Sequence, residues 1–378
     1  MRDTMYSSQP TPDTIPISNR REPAFYRSMS DYQRLEALPY PVYFVRNDPA
    51  LCESLANVTA MPPFEQFYRP ELGGTSSWIV QTYLQLKCRG LDVHLVPRYV
   101  PGAICVVSRE ELMKSTLLKT LPFQSYVIVC QQDRPRPVIC EQRIVQNQLN
   151  IQNRYDHFLP HWVQPELKPR NVQRQTEIKN LVFKGRWYYM PADYKTPGFI
   201  KALENLGVTY TVTPDYAVDL NDWTDYSEAD LLLAVRHRSN LYLESKPPTK
   251  LINAWLAGCP ALLGPEPAYQ NLRQSELDYI EINSPEDVLG AIRRLQADPE
   301  LYWAMIENGW ARSQTFLPAR IATLWRDLFA GPIAIGYEQW RQQPWLWQTL
   351  GRPAHFAIRL IQQETERRRF NKLTGRKR

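Results

Sequence analysis

Lys246 and Lys250 bracket the start of a short helix in the stretch "KPPTKLINAWLAGCPALLGPE", residues 246–266. A cation at the positive end of the helix dipole costs roughly 0.3–1 kcal/mol, where an anion would be stabilised. Either both lysines extend into water, or an anion sits between them. Pro247 and Pro248 impose extended geometry, so the helix begins no earlier than about Pro248. Thr249 can cap free N–H groups of the first turn, Leu251, Trp255 and Leu256 form a stripe to bury, and Gly258 with Pro260 ends the helix. Where such a helix follows the carboxyl end of a parallel strand, its unpaired N–H groups face the crevice in which these sheets bind ligands. Lys250, with Lys246 close before it, would supply formal charge there for a diphosphate.

Other residues gain interest from what precedes them. In "FKGR", Gly185 allows close backbone approach and Arg186 could hold a phosphate fork-wise. "VRHRSN" follows the apolar run "LLLAV" and places Arg236 and Arg238 at the rim of the same crevice, with Arg236 the better partner for Lys250. Gly73 and Gly74 before a helix form a second turn that tolerates an anion. For a proton-accepting group, Asp133 lies just after the apolar run "YVIVC", and His237 lies in the arginine loop. His94 falls inside a strand and reads as a packed core residue. Glu266, just past "LLG", could bind sugar-type hydroxyls.

These residues need a scaffold, and the chain is patterned for one. "PVYFV", "LDVHLV", "AICVV", "YVIVC" and "RIVQNQ" read as strands, separated by a helix over 76–87 with amphipathic spacing and by the helical "REELMKSTLL". The proline-rich "LPHWVQPELKPRN", residues 159–171, reads as a linker. Alternation then resumes with strands at 178–185, 208–213, 229–235, 260–264 and 279–282, and helices over 196–207 and 284–297. Strands alternating with helices and apolar on both faces imply parallel sheets covered on two sides. The expected fold is α/β, with two Rossmann-like domains facing a cleft: a leader over 1–38, an N-terminal domain over 39–165, a C-terminal domain over 166–317 and a helical segment over 318–378, of which residues 318–362 could cross back to the first domain. At 378 residues the chain exceeds one ordinary core, which agrees.

The segment "KPPTKLINAWLAGCPALLGPEPAYQNL", followed by "SPEDVLGAIRRLQADPELYWAMIENG", resembles the nucleotide-sugar-binding domain of GT-B-fold glycosyltransferases. The resemblance covers about 178–312; in the N-terminal half only "GGTSSW" corresponds. It implies the GT-B architecture, a nucleotide-diphosphate sugar as donor, a hydroxyl acceptor, and transfer without a bound metal or other cofactor. No D-x-D occurs in the chain. Lys250 carries over as the phosphate ligand. Many retaining members place glutamates where this chain has Asn253 and Ser245, with Glu244 adjacent to the latter. An amide at 253 can still meet ribose hydroxyls, without the charge that roughly doubles such a bond. A non-catalytic sugar-nucleotide or glycan-binding relative and a GT-B-like epimerase are the other readings.

Composition sets the outer limits. Apolar residues at 43% and charged residues at 22% are globular values. The six cysteines show no C-x-x-C and no metal spacing, and read as reduced, buried hydrophobes. No signal pattern opens the chain and no apolar run approaches the roughly 20 residues of a membrane span, so a cytoplasmic protein is expected. Of the net charge of +6, the tail "ETERRRFNKLTGRKR" supplies +5, from seven Lys/Arg against two Glu. The body is therefore no nucleic-acid clamp, while the tail suits peripheral contact with an anionic membrane.

Overall fold

Runs such as "YVIVC" are buried along their whole length because both faces of their sheet are covered. In the computed structural model, which describes residues 32–68, 73–112, 114–185, 187–213, 221–236 and 240–374, they assemble two parallel sheets. The first contains β1 (Val42–Val45), β2 (Val93–Val96), β3 (Ile104–Ser108), β4 (Tyr126–Cys130), β5 (Gln142–Val145) and β6 (Asp156–Phe158), in the order β2-β1-β3-β4-β5-β6. The second contains β7 (Asn180–Phe183), β8 (Thr209–Val212), β9 (Leu231–Ala234), β10 (Ala261–Leu263) and β11 (Ile280–Glu281), in the order β11-β10-β9-β7-β8. The pairings between neighbouring strands are all parallel. In both sheets the chain moves one way from its first strand and then returns to the other side. That makes a switch point between β1 and β3 and another between β7 and β9, where open α/β sheets leave a crevice beyond their carboxyl ends. The fold is the expected one: α/β, two Rossmann-like domains around a cleft, the GT-B architecture.

The helices show how the cores close. Helix α1 runs through Gly73–Thr75, a π-turn at Ser76–Gln81 and Thr82–Lys87. Its amphipathic spacing predicts one wet face, yet every residue from Ser76 to Leu86 is buried. The reason lies far along the chain. Helix α2 (Pro197–Asn205), α3 (Thr249–Ala257), α4 (Pro285–Ala297) and α5 (Pro299–Ser313) belong with the second sheet. Then α6 (Pro318–Leu328) and α7 (Ala334–Arg341) return to the first, and Trp325 covers Trp78 of α1 at 6.2 Å between ring centroids. The long α8 (Arg352–Thr374) continues along that domain, where the Gln363 amide oxygen accepts from the Val138 N–H at 2.8 Å.

Local signals place most boundaries. Ser284 and Asp287 form a reciprocal capping box on α4, and Gly258 ends α3 in the left-handed region at φ +65°. Strand β6 lies outside the expected set, because "DHF" is too short and polar to signal a strand. The helical "REELMKSTLL" segment forms two short helices, Arg109–Leu112 and Ser115–Leu118. The proline-rich linker is packed: Trp162 lies in the first core with its Nε1–H donating to the Thr82 hydroxyl at 2.8 Å, and Val163 lies in the second. The cysteines are all free thiols and five of the six are buried, as expected.

Candidate functional site: the cleft between the two sheets

Carboxyl ends of both sheets open onto a cleft of about 360 Å³, within the usual size range of small-molecule sites, about 300–1,000 Å³. The second domain contributes Lys184 just after β7, Arg236 just after β9, and Pro247, Thr249, Lys250 and Asn253 at the start of α3. The first contributes Gly74 and Trp78 at the start of α1, Gln132 and Asp133 after β4, Gln146 after β5, and His161 from the linker. Residues on both sides of the β7/β9 switch point therefore meet the N-terminal end of α3.

Lys250 occupies the centre of this arrangement. Its ammonium lies 4.8 Å from the Phe183 ring centroid and 2.8 Å from where a Cβ on residue 185 would stand. A side chain at 185 would have to push the ammonium or the Phe183 ring aside. Among the described residues Lys250 makes no salt bridge. Burial and the neighbouring Arg236 guanidinium push its pKa down to about 7, with Glu266 pulling the other way and Lys246 adding to the depression. Asn253 follows three residues later on the same helical face, and its side-chain oxygen is buried without a partner. Thr249 does not cap the helix as expected. Pro248 holds the cap position with no side-chain hydrogen bond, so the first-turn N–H groups remain open to a ligand.

Two other expected cations are already engaged. Lys246 forms an ion pair with Asp133 across the cleft, and its ammonium stands 4.4 Å from the Tyr242 ring centroid. Arg236 forms a buried ion pair with Glu266, whose second carboxylate oxygen has no partner among the described residues. Asp133, expected as a proton acceptor, is thus also an interdomain link. More links lie beside it: the Gln146 amide donates to the Ser245 carbonyl at 3.1 Å, and the Asn147 amide donates to the carbonyls of Glu244 and Lys246 at 2.8 and 3.1 Å. Gly74 packs on Gln132, with a Cβ there meeting the amide at 3.1 Å, while Gly73 opens α1. Arg186, His237 and Arg238 lie outside the described residues. His94 stays away from the cleft and pairs with Asp92 at 3.0 Å on a partly exposed face of the first sheet, not within its core as expected.

His161 was missed in the sequence because a lone histidine among prolines carries no pattern. Its Nδ1 lies 2.7 Å from the Trp162 carbonyl oxygen. A carbonyl can only accept, so Nδ1 carries the proton and Nε2 is the basic nitrogen. Burial lowers its pKa and keeps the ring neutral near pH 7. Gln132 was also missed. It adopts φ +59°, a strained conformation for a residue other than glycine, and its amide nitrogen is buried without a partner. Polar atoms on Gln132, Asn253 and Glu266 without partners among the described residues leave hydrogen bonds for something else to complete.

A diphosphate bound beside Lys250 would have a definite pH dependence of affinity. A diphosphate favours the ammonium form, so binding raises this depressed pKa and takes up a proton. Affinity is fullest below about pH 7 and falls as pH rises above it, by at most about tenfold per unit. Calorimetry around pH 8 in buffers of unlike ionisation enthalpy should report proton uptake. Equal heats and a flat affinity would contradict the assignment.

Fold and cleft together define a two-domain α/β protein of GT-B architecture. No protein-family model and no curated protein sequence matches the chain. Among solved structures it is similar to sucrose-phosphate synthase from Thermosynechococcus elongatus, at 11% identity over 77% of this chain and 99% of that one, with a TM-score of 0.49. It is similar also to AviGT4, a glycosyltransferase involved in avilamycin A biosynthesis, at 15% identity over 78% and 99% with a TM-score of 0.46. An α1,3-fucosyltransferase aligns at 10% identity over 82% and 97%, again with a TM-score of 0.46.

Proposed function

We propose that the protein is a glycosyltransferase that moves a sugar from a nucleotide-diphosphate sugar to a hydroxyl acceptor, without a metal ion. The observation that carries this reading is the Lys250 ammonium in the interdomain cleft, at the uncapped N-terminus of α3 and without a salt-bridge partner among the described residues. A diphosphate there would meet Lys250 and the first-turn N–H groups, approached closely past Gly185. Charge developing on the leaving diphosphate would be stabilised by groups already in place. Asn253, one turn on, suits the nucleotide ribose, and the free oxygen of Glu266 suits donor-sugar hydroxyls.

The acceptor would enter from the first domain. His161, neutral with Nε2 as its basic nitrogen, is the better group to take the acceptor proton. Asp133, joined to Lys246, would hold the two domains at the spacing that excludes water.

Thermal denaturation against a panel of nucleotide sugars tests the reading, since a ligand bound only by the folded state raises the melting temperature. One donor class is expected to stabilise the protein, with release of nucleoside diphosphate once a hydroxyl acceptor is present. No shift with any member would remove the proposal. Donor conversion in the absence of acceptor would favour an epimerase, and stabilisation with no transfer or hydrolysis would favour a binding protein.

A further inference from the structure

Exposed apolar side chains are usually scattered singly over a protein surface. Here they gather on the C-terminal helices. Trp345 and Ile361 are each 72% exposed, Leu350 66% and Leu346 63%, with Ile358 also open to solvent. Along α8 the exposed positions Ala354, Ile358, Ile361, Thr365, Arg368 and Lys372 recur every three or four residues and so form one ridge. Leu346 and Leu350 continue it backwards at the same spacing. The opposite face is fastened to the first domain by Phe356, Leu360, an Arg359–Glu141 ion pair at 2.8 Å, and Gln363. The ridge is therefore held rigidly outward.

Its chemistry changes along its length. The leading half is aromatic and aliphatic; the trailing half is basic, with Arg368, Lys372 and, beside them, Arg369 all exposed. Glu364 pairs with Arg367 and Arg368 at 2.8 and 2.9 Å, and Glu366 lies on the same stretch. These exposed pairs are weak, and the sequence adds Arg376, Lys377 and Arg378 beyond them. A second copy of the chain is a poor occupant. Parallel pairing would stack Arg368 and Lys372 against themselves, and antiparallel pairing would set them on Ile358 and Ala354.

We propose that the ridge formed by Trp345, Leu346, Leu350, Ile358 and Ile361, with the basic end of α8, docks the protein on an anionic lipid surface. Apolar side chains would enter the boundary between headgroups and acyl chains, and the arginines and lysines would meet lipid phosphates. This goes beyond a contact through the tail alone, because it assigns an apolar half and an orientation. At the basic end of the ridge, Arg369, Phe370 and Leu373 line a groove of about 550 Å³ together with Gln131 and Ser245. Gln131 directly precedes Gln132 and Asp133 of the cleft, so a docked molecule would present that groove and the neighbouring cleft near the bilayer.

Co-sedimentation of the full chain with sucrose-loaded vesicles tests the proposal. The chain should pellet with phosphatidylcholine vesicles containing one-third phosphatidylglycerol, and remain in solution with phosphatidylcholine alone. The double variants Ile358→Ser/Ile361→Ser and Arg369→Glu/Lys372→Glu should each weaken partitioning by about tenfold or more, with melting temperatures unchanged because the side chains are exposed. No pelleting with anionic vesicles, or variants that pellet like the parent, would overturn the proposal. A dimer in light scattering that Ile358→Ser/Ile361→Ser dissociates, without vesicle binding, would overturn it in favour of self-association. The nucleotide-sugar thermal shift, measured in parallel on the same ridge variant, should persist, so failure here and failure of the donor reading are told apart.

Discussion

Lys250→Ala is expected to weaken nucleotide-sugar binding by about 3 kcal/mol, roughly 150-fold, while leaving the melting temperature of the unliganded protein nearly unchanged. The size follows from position. The ammonium is half-buried in the cleft and makes no salt bridge among the described residues, so removing it costs the free protein little. It costs the complex a charge facing the diphosphate where water is largely excluded. Neither Lys246 nor Arg236 can replace it, since each is engaged by a carboxylate, Asp133 and Glu266 respectively. Lys250→Arg sharpens the test. A guanidinium stays charged across the accessible range, so part of the affinity should return and its decline above about pH 7 should vanish. Calorimetry on the three proteins reads both outcomes; an alanine variant that binds donor like the parent would remove the central assignment.

Loss of the His161 imidazole should act on turnover rather than on donor affinity. His161→Ala is expected to lower kcat by about 10²–10³-fold, the usual contribution of a positioned base, with donor binding intact. The pH profile separates this from a packing effect, which matters because the ring also meets Trp78 edge-on at 5.5 Å. A base must be unprotonated. In the parent, kcat/KM should therefore rise with pH through the lowered pKa of His161, below the ordinary histidine value, and fall again above about pH 7 as Lys250 of the free enzyme loses its proton. The acid limb should disappear in the variant. Asp133→Asn should behave differently, raising KM together with its loss of kcat, because it severs the interdomain link to Lys246. An unaltered kcat for His161→Ala would place proton transfer elsewhere.

How much of this was legible in the sequence depends on the range of the signal. Ten of the eleven described strands, the helix carrying Lys250 and its end at Gly258 follow from hydrophobic runs, prolines and glycines acting over a few residues. Period and punctuation are local, and parallel α/β units repeat them faithfully. Lys250 itself was legible because its position relative to a strand end and a helix start is written within a single βα turn.

Apart from the return of the C-terminal helices to the first domain, what depends on two distant segments meeting was not legible. Arg236 and Lys246 read as further anion ligands beside Lys250, and only the return of Glu266 and the approach of Asp133 from the other domain set them apart. The helical stretch from Ser76 to Leu86 carries an amphipathic pattern, yet every residue of it is buried, with Trp325 arriving from nearly 250 residues downstream to cover it. His161 sits in a stretch whose prolines indicate only a linker, and packing of Trp162 and Val163 into opposite cores turns that linker into a wall of the cleft. Sequence alone therefore determined the α/β units and the cation at the head of α3, through interactions between near neighbours. Tertiary structure decided which charges stay free and which imidazole reaches the cleft, because charge pairing and burial act through space between residues that the chain order keeps apart.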